Sequence, residues 1–296
     1  MQTKSDKLPL IILATYWNES RFVRPSLAQI EALNPSEIII CDGCFDPKIP
    51  NYSTDGTREI IREFVGKHPH ARLISALRSG FWQSAWLLLR GHKHLSWWTM
   101  FRIARWKFLL ASCFRVSYRR NQAITFNHMI SLSKEWRPGL WFMTYDADHF
   151  YGNDTILNIQ EIVNNTKDNF DLVTGKELAF FDTFSRYTTM HDQRGFANMP
   201  HLIYPDTLIQ PTRSIIRETK SEGKFFNVRD ILAKHLYTRF AKKIYAGIYF
   251  HYKLNSPERN DLGYMLGDRK KPLIEKYTLK EFIGEHPHII KEYFKL

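Results

Sequence analysis

Short apolar runs alternate with amphipathic segments along the first half of the chain. Residues 8–15 (LPLIILAT) and 37–41 (EIIIC) are continuous apolar runs with the length of a buried parallel strand, and residues 71–76 continue the series. Apolar residues recur at helical spacing over residues 25–33 and 57–66. The order strand, helix, strand, helix, strand predicts an α/β domain with a mixed, mostly parallel sheet flanked by helices.

The alternation resumes after residue 118 and fades beyond Lys176. The predicted elements in this part are a helix over 119–136, a strand that ends in Asp146, a helix that begins at Asn153-Asp154, and a strand over 171–174. Farther on, the pattern predicts a helix over 228–240, an apolar segment over 246–252 and a short helix over 276–284. No internal repeat, low-complexity segment or clear linker divides the chain.

Acidic and amide side chains stand where the predicted strands end. Asn18 and Glu19 follow the first strand, Asp42 follows the second, and Asp146 and Asp148 follow the strand after residue 140. Ligands of parallel sheets bind outside the carboxyl ends of the strands, so we expect a cleft there. In a strand, Asp146 and Asp148 would project to the same side and would suit a hard divalent cation that holds a phosphate group. Two surface aspartates at a strand-to-turn junction are the alternative.

Composition and charge narrow the class of protein. The chain has 296 residues, of which 44% are apolar and 24% charged, as in a globular protein with an ample core. Its net charge of +12 implies an acidic partner, which is nucleotide phosphate, nucleic acid or an anionic membrane. Cys41 and Cys44 form one C-x-x-C with no second pair, which argues against zinc. Neither a signal peptide nor an uncharged apolar run of about 18 residues is predicted.

Residues 77–120 interrupt the alternation with a distinct composition. They contain nine lysines and arginines, no acidic residue, and five of the eight tryptophans. Tryptophan with basic residues and without acids is typical of a membrane interface, where each basic side chain contributes about 1 kcal/mol near an anionic surface. We therefore expect a basic aromatic helical insertion over residues 77–118 that contacts a membrane. A helical lid, an oligomer contact and a nucleic-acid patch are the alternatives.

Four segments, in this order, resemble family 2 glycosyltransferases of the GT-A (Rossmann-like) fold, of the type that builds bacterial surface glycans. They are LATYWNE after the first strand, CDG with STDGT after the second, RRNQAITFN on the predicted helix before the acidic motif, and DAD itself. The resemblance covers about residues 8–175, and HYKLNSPER resembles a bacterial subset more loosely. The segment CFDPKIPNY and the 77–118 insertion depart from the family pattern. The resemblance implies a nucleotide-sugar-binding core over residues 1–175 and an acceptor-side half over 176–296 that completes the same domain.

The resemblance also implies contacts with a nucleotide-diphosphate sugar. The implied contacts are Asp42 at the nucleobase, Tyr16, Asn18 and Glu19 beside the base and ribose, Arg120 and Asn127 near the diphosphate, and Asp146 at the ribose or a metal-bound water. Arg213, together with Arg217, is a further candidate for clamping phosphate. Solvated charges on a helix are the alternative interpretation of those two arginines.

A divalent metal that bridges the donor diphosphate is a further implication of the resemblance. Asp148 would bind this metal, with Asp146 beside it and His251 as a third ligand, by analogy with GT-A enzymes that recruit a late histidine. Oxygen ligands favour Mg²⁺ or Mn²⁺, and an imidazole shifts the choice towards Mn²⁺. A histidine buried in an aromatic core is the alternative interpretation of His251.

Inverting glycosyl transfer requires a carboxylate base that takes the proton of the acceptor hydroxyl. The candidates are, in order, Asp230, Glu177 and Asp192, with Asp182 as a further acid. Asp230 leads because bases in this family come late in the domain, and it precedes His251 by some twenty residues, as in the looser subset. Each candidate is also interpretable as a helix cap or a surface acid.

The sequence thus predicts a metal-dependent, inverting glycosyltransferase that is cytoplasmic and peripheral on the inner face of the cytoplasmic membrane. Its donor would be a nucleotide-diphosphate sugar and its acceptor a glycan or a lipid-linked glycan, such as a lipopolysaccharide precursor; nucleic acid is not an expected partner. A sugar-phosphate nucleotidyltransferase is one alternative, although TYWNES stands where its glycine-rich loop would be. A non-catalytic membrane or nucleic-acid binding protein on the same fold is the other.

Overall fold

The structure, a computed structural model, consists of a large mixed sheet with helices on both faces. It describes residues 7–78, 121, 125–126, 128–130, 132–135, 140–165, 172–181, 183–188, 201–203, 208–210, 215–217, 243–253 and 279–296. The strands are β1 Leu8–Tyr16, β2 Pro35–Asp42, β3 Ala71–Ser75, β4 Trp141–Asp146, β5 His149–Tyr151, β6 Leu172–Phe181, β7 Arg186–Thr188, β8 His201–Ile203, β9 Leu208–Gln210, β10 Ile215–Arg217, β11 Lys243–Lys253 and β12 Lys280–Glu281. The helices are α1 Ser20–Ala32, α2 Thr57–Lys67, α3 Asn153–Asn164 and α4 His288–Phe294.

Ten of these strands form one sheet, in the order β12-β7-β6-β10-β4-β1-β2-β3, with β11 paired to both β5 and β6. Strands β3, β2, β1 and β4 are parallel to one another, and β11 is parallel to β6. Strand β10 is antiparallel to both β4 and β6, and β8 and β9 form a separate two-stranded sheet. The predicted α/β class, with a parallel sheet flanked by helices, is confirmed.

Strand β1 is apolar on both faces because helical residues cover both sides of the sheet. Leu10 and Ile12 pack into the core that α1, α2 and α3 cover. Ile11 and Leu13 point the other way and pack with Phe126, which belongs to a helical stretch on the opposite face. Burying each such side chain stabilises the fold by about 1.5–3 kcal/mol. This two-sided burial is the reason for the continuous apolar run in the sequence.

The first helix begins earlier than its apolar spacing predicted. The carbonyl of Glu19 accepts hydrogen bonds of 2.8 Å from the amides of Phe22 and Val23, and both of those side chains are buried. Helix α1 therefore begins at Ser20, and the predicted start at residue 25 was wrong. Pro25 lies inside the helix, where its ring keeps a helical φ but donates no hydrogen bond.

The predicted short helix over 276–284 is wrong where the structure describes it. Strand β12 lies there instead and pairs with β7. The amide of Phe282 donates to the carbonyl of Ser185 at 2.7 Å, and its ring packs edge-on against Phe180. Helix α4 begins only after Pro287. Aromatic packing against the sheet therefore outweighs the helical spacing of this segment.

A pair of glycines lets β6 and β11 approach each other closely. Gly175 lies opposite Gly247 in the parallel ladder. Gly247 has a φ of 137°, in the region that favours glycine, and a Cβ there would overlap the side chain of Thr155. The Thr155 hydroxyl donates to the carbonyl of Ile248 at 2.9 Å. The glycine pair thus fixes how β11 packs against α3, shortly before His251.

Two predicted segments lie outside the described residues, namely the 77–118 insertion beyond its first two residues and the helix over 228–240. At the start of the insertion, the guanidinium of Arg78 donates to the carbonyls of Cys44, Ile49 and Pro50. Among the described residues, no helix has the length and apolar character needed to cross a bilayer.

Candidate metal centre

The sheet topology brings the ends of distant strands to one edge. Because β10 is antiparallel to both β4 and β6, those two strands run in the same direction, and β11 runs with β6. The carboxyl ends of β1, β2, β4 and β11 therefore share one edge of the sheet. Asp42 and Asp146 end β2 and β4, and His251 lies near the end of β11. This is the edge at which parallel sheets bind their ligands.

Three side chains of metal-ligating type converge at this edge. Asp148, His149 and His251 each offer one ligand atom, and these atoms all lie within 4.8 Å of one another. The Nε2 atom of His251 is 3.2 Å from one Asp148 oxygen, and the Nε2 atom of His149 is 3.7 Å from the other. The two imidazole rings are nearly perpendicular, with centroids 4.2 Å apart. Both histidines are buried, so the protein holds this group in place.

The strand pairing explains why these residues meet. Strand β5 is antiparallel to β11, and His149 lies directly opposite His251, so their side chains are neighbours on one face. The carbonyl of Asp148 accepts a hydrogen bond of 2.8 Å from the amide of Tyr252, which fixes the turn between β4 and β5 against β11. The register of one short strand pair therefore positions all three ligating side chains.

The donor set fits a divalent metal ion. Two ligand atoms that each lie about 2.1 Å from a shared ion are about 3 Å apart when they bind at right angles, and the observed separations of 3.2 and 3.7 Å are close to that value. One carboxylate with two imidazoles suits a first-row transition metal better than Mg²⁺, which prefers oxygen ligands. Asp148, His149 and His251 can therefore hold such an ion with small adjustments.

Asp146 lies next to this group rather than inside it. Its Oδ1 atom accepts a hydrogen bond of 3.3 Å from the hydroxyl of Thr15, and its Oδ2 atom is 3.6 Å from Nδ1 of His149. Strand β4 ends at Asp146, so Asp148 belongs to the turn that follows. The two aspartates thus approach the His149 ring from its two nitrogens. The metal and ribose contacts assigned to Asp146 stay predictions.

Glu177, one of the predicted bases, lies against His251. Its Oε1 atom is 2.6 Å from Nδ1 of His251, and Glu177 is only 3% exposed. Glu177 points from β6 towards β11, which runs parallel beside it. His251 consequently lies between two carboxylates, with Glu177 on its buried side and Asp148 at the edge of the sheet.

A second polar cluster, the loop clamp, joins the ends of β1 and β2 to the following loop; we define it as Asn18, Asp42, Ser53 and Arg58. The Asp42 carboxylate is fully buried. One of its oxygens accepts hydrogen bonds from the amide and hydroxyl of Ser53, at 3.2 and 2.5 Å. The other oxygen accepts from the Arg58 guanidinium at 2.7 Å. Asp42 thus holds the 53–58 segment to the sheet, and its contact with a nucleobase stays a prediction.

The turn after β1 is held by the same segment. The amide of Asn18 donates to the Ser53 hydroxyl, and its side-chain oxygen accepts from the amide of Thr54, at 2.9 Å each. Asn18 has a φ of 50°, a conformation that asparagine tolerates better than most residues. The amide of Glu19 donates to the Thr57 hydroxyl at 2.8 Å. The ribose and base contacts assigned to this turn stay predictions.

Tyr16, placed by the sequence beside the nucleotide, has its side chain in the core. Its hydroxyl is 2.8 Å from the Ser26 hydroxyl, and burial raises its pKa above the usual range. The predicted site residues Arg120, Asn127, Asp192, Arg213 and Asp230 lie outside the described residues, as does Asp182.

The sequence analysis missed His149 in the metal centre and Arg58 in the loop clamp. His149 directly follows the acidic motif, and a histidine beside two aspartates is itself a signal for metal binding. Arg58 carries no comparable signal, because its contact with Asp42 depends on how α2 packs against the sheet.

The chain matches no protein-family model and no curated protein. Among solved structures it is similar to glucosyl-3-phosphoglycerate synthase from Mycobacterium tuberculosis in complex with Mn²⁺, UDP-glucose and phosphoglyceric acid, at 14% identity and a TM-score of 0.37. That match covers 86% of this chain and 75% of the other. A structure described as a mycobacterial protein matches at 12% identity and a TM-score of 0.38, covering 85% of this chain and 69% of the other. Both likenesses are distant.

Proposed function

We propose that the chain is a metal-dependent glycosyltransferase that transfers a sugar from a nucleotide-diphosphate sugar to a glycan or lipid-linked acceptor. The observation that carries the proposal is the convergence of Asp148, His149 and His251 at the carboxyl edge of a parallel sheet. The acidic motif, the late histidine and the edge at which nucleotides bind in such sheets occur together there. The resemblance of the DAD, CDG and LATYWNE segments to family 2 enzymes points to the same reaction.

Asp148, His149 and His251 would hold the metal ion. Such an ion, when bound, compensates the negative charge that develops on a leaving diphosphate. The two imidazoles make Mn²⁺ the expected ion, ahead of Mg²⁺. The Asp148 side chain is 13% exposed, more than that of the buried His149. A donor would therefore reach the metal ion from the side of Asp148.

The net charge of +12 supports an anionic donor, bound along the edge formed by β1, β2 and β4. Inverting chemistry with Asp230 or Asp192 as the base, and phosphate contacts from Arg120, Asn127 and Arg213, complete this part of the proposal. The hydrogen bonds of the loop clamp tie the turn after β1 to the 53–58 segment. This connection supports a nucleotide pocket at that turn.

The acceptor is proposed from the insertion over 77–118. Its tryptophans and basic residues favour a peripheral position on the inner face of the cytoplasmic membrane and a lipid-linked acceptor of polysaccharide or lipopolysaccharide biosynthesis. Flotation with anionic vesicles measures this directly. A variant without residues 80–115 should float much less than the full chain, and equal flotation of the two would contradict the membrane role.

Calorimetry with Mn²⁺ and a panel of nucleoside diphosphates tests the catalytic proposal. We expect the protein to bind one nucleotide in a Mn²⁺-dependent manner. Asp148→Asn should weaken Mn²⁺ binding by at least about 10-fold, since even the loss of a residue that only hydrogen-bonds a metal ligand costs that much. The variant should also lose turnover of the matching nucleotide sugar. Asp154→Asn is the matched control, because Asp154 is exposed in the first turn of α3.

Three results would contradict the proposal. They are Mn²⁺ binding that Asp148→Asn leaves unchanged, retained sugar transfer in that variant, and the absence of any nucleotide binding by the unmodified chain. Formation of a nucleotide sugar from a nucleoside triphosphate and a sugar phosphate would instead identify a nucleotidyltransferase.

A further inference from the structure

We infer that Glu177 is a positioning residue that fixes the ring of His251 so that Nε2 faces Asp148 and the metal. The inference rests on the metal site proposed above. It assigns Glu177 to the metal centre, and it leaves the role of general base to another acid.

The distances show which partner each nitrogen of His251 faces. Nδ1 lies 2.6 Å from Glu177 Oε1, and Nε2 lies 3.2 Å from Asp148 Oδ2. A carboxylate only accepts hydrogen bonds, so Nδ1 carries the proton of this pair. With the proton on Nδ1, the lone pair of Nε2 would be given to a metal ion that Asp148 also binds. A carboxylate behind a metal-bound histidine sets the tautomer and the ring orientation in this way.

The pairing of β6 with β11 places Glu177 beside His251. Tyr249 lies opposite Glu177 and His251 opposite Ala179 in the parallel ladder of β6 and β11. The close approach of Gly175 and Gly247 lies just before this pair on the two strands. Since Glu177 and His251 are both buried, little water competes for the bond between them, and a charge-assisted hydrogen bond is strong in such surroundings.

The burial of Glu177 and its contact with His251 also argue against Glu177 as the general base. A general base must come within hydrogen-bond reach of the acceptor hydroxyl. Glu177 is 3% exposed and directs an oxygen at an imidazole instead. It therefore acts through His251 and does not touch the substrate.

Titration with Mn²⁺ alone, followed by calorimetry, tests the assignment on the full chain. Glu177→Gln keeps an oxygen that can accept from Nδ1 but loses the charge, and we expect about 10-fold weaker Mn²⁺ binding. Glu177→Ala removes the acceptor, and we expect about 100-fold weaker binding. Glu37→Gln is the matched control, because Glu37 is equally buried but bonds to Arg72 and Ser133. The control should lose thermal stability and keep its Mn²⁺ affinity.

A second measurement needs no substitution. The ¹⁵N chemical shifts of His251 in the metal-free chain, at a pH where the ring is neutral, should show the proton on Nδ1. A proton on Nε2 would overturn the inference, as would Mn²⁺ affinities of both Glu177 variants within twofold of the unmodified chain. If the unmodified chain binds no Mn²⁺, the proposed metal site itself is wrong. If it binds Mn²⁺ and the Glu177 variants bind equally well, only the role of Glu177 is wrong.

Discussion

Two buried polar clusters lie at the same edge of the sheet, and they differ in the partners of their carboxylates. In the loop clamp, Asp42 faces the guanidinium of Arg58 and the hydroxyl of Ser53. In the metal centre, Asp148 faces the imidazoles of His149 and His251. A guanidinium only donates hydrogen bonds and keeps its proton, whereas an imidazole nitrogen offers either a proton or a lone pair.

This difference separates a structural cluster from a candidate site. Asp42 and Asp146 end strands at one edge, and Asp148 lies in the turn just after the second of them. This placement alone does not tell the three acids apart. Asp42 faces a guanidinium that balances its charge and has no lone pair for a metal. Asp148 has partners that can ligate. The chemistry of the neighbours therefore assigns the function of a buried acid, and the position of the acid does not.

Arg58→Leu should have the largest effect on stability of the substitutions considered, and it should affect the loop clamp without affecting the metal centre. Among the described residues, this leaves the buried Asp42 carboxylate with Ser53 as its one side-chain donor. Removing one partner of a buried pair costs about 3 kcal/mol, at the low end of the usual range because Ser53 remains. Urea denaturation measures the free energy of unfolding. Mn²⁺ affinity should not change, since Arg58 belongs to the loop clamp.

The matched control for this prediction is Arg24→Leu. Arg24 is paired with Glu63 at 3.6 Å on the surface, where both side chains are about half exposed, and such pairs contribute little. If Arg58→Leu keeps its stability but loses nucleotide binding, the loop clamp is a ligand site. That result would favour the predicted contact between Asp42 and the nucleobase.

Much of the central sheet was predictable from the sequence because helical residues cover both of its faces. Strands β1 and β2 are continuous apolar runs for that reason, and the residues that end them are polar. The prediction that Asn18, Asp42 and Asp146 share an edge followed from parallel topology alone, and the observed pairing of β1, β2 and β4 agrees with it.

The partners of the edge residues were much harder to predict. His149 meets His251 only through the register of β5 on β11, and no local spacing encodes a pairing between segments so far apart in the chain. The pairing of Asp148 with His251 came from the resemblance to a family and not from spacing. The sequence analysis placed the last helix over residues 276–284, although Phe282 in that segment packs against the sheet. Helix α4 begins only after Pro287 and was missed.

Gly247→Ala should have the second largest effect, and it tests whether the metal centre depends on the packing of β11. A Cβ at this position overlaps Thr155, and the φ of 137° is unfavourable for alanine. We expect a loss of about 2 kcal/mol in the free energy of unfolding, which is typical of overpacking. Because β11 must shift to relieve the overlap, Mn²⁺ binding should weaken as well, unlike in Arg58→Leu.

Gly66→Ala is the control for this substitution. Gly66 lies near the end of α2, a Cβ there meets nothing within 4 Å, and alanine is the better helix former, so stability should rise by about 0.5–1 kcal/mol. Unchanged Mn²⁺ affinity in a destabilised Gly247→Ala variant would show that the metal centre tolerates movement of β11.

A third histidine, His286, sharpens the comparison because its imidazole faces a neutral partner. Nδ1 of His286 is 2.8 Å from the Tyr252 hydroxyl. Burial lowers the pKa of His286, the carbonyl of Phe184 opposes this shift, and the charge of Lys291 adds to it. Among the described residues, the groups that shift this pKa include no carboxylate, whereas the two nitrogens of His251 face Glu177 and Asp148.

The sign of the pH effect follows from that lowered pKa. Below about pH 6.5 the unfolded chain takes up a proton at this position, while folded His286 stays neutral until its lower pKa is reached. The unfolded state then binds more protons, so the free energy of unfolding falls as the pH decreases through this window and levels off beneath it. Denaturation at pH 8 and pH 5.5 should show a smaller pH-dependent loss for His286→Gln than for the unmodified chain. His288→Gln, at an exposed position in α4, should keep the original loss. Equal losses in all three proteins would contradict a lowered pKa of His286 in the folded chain.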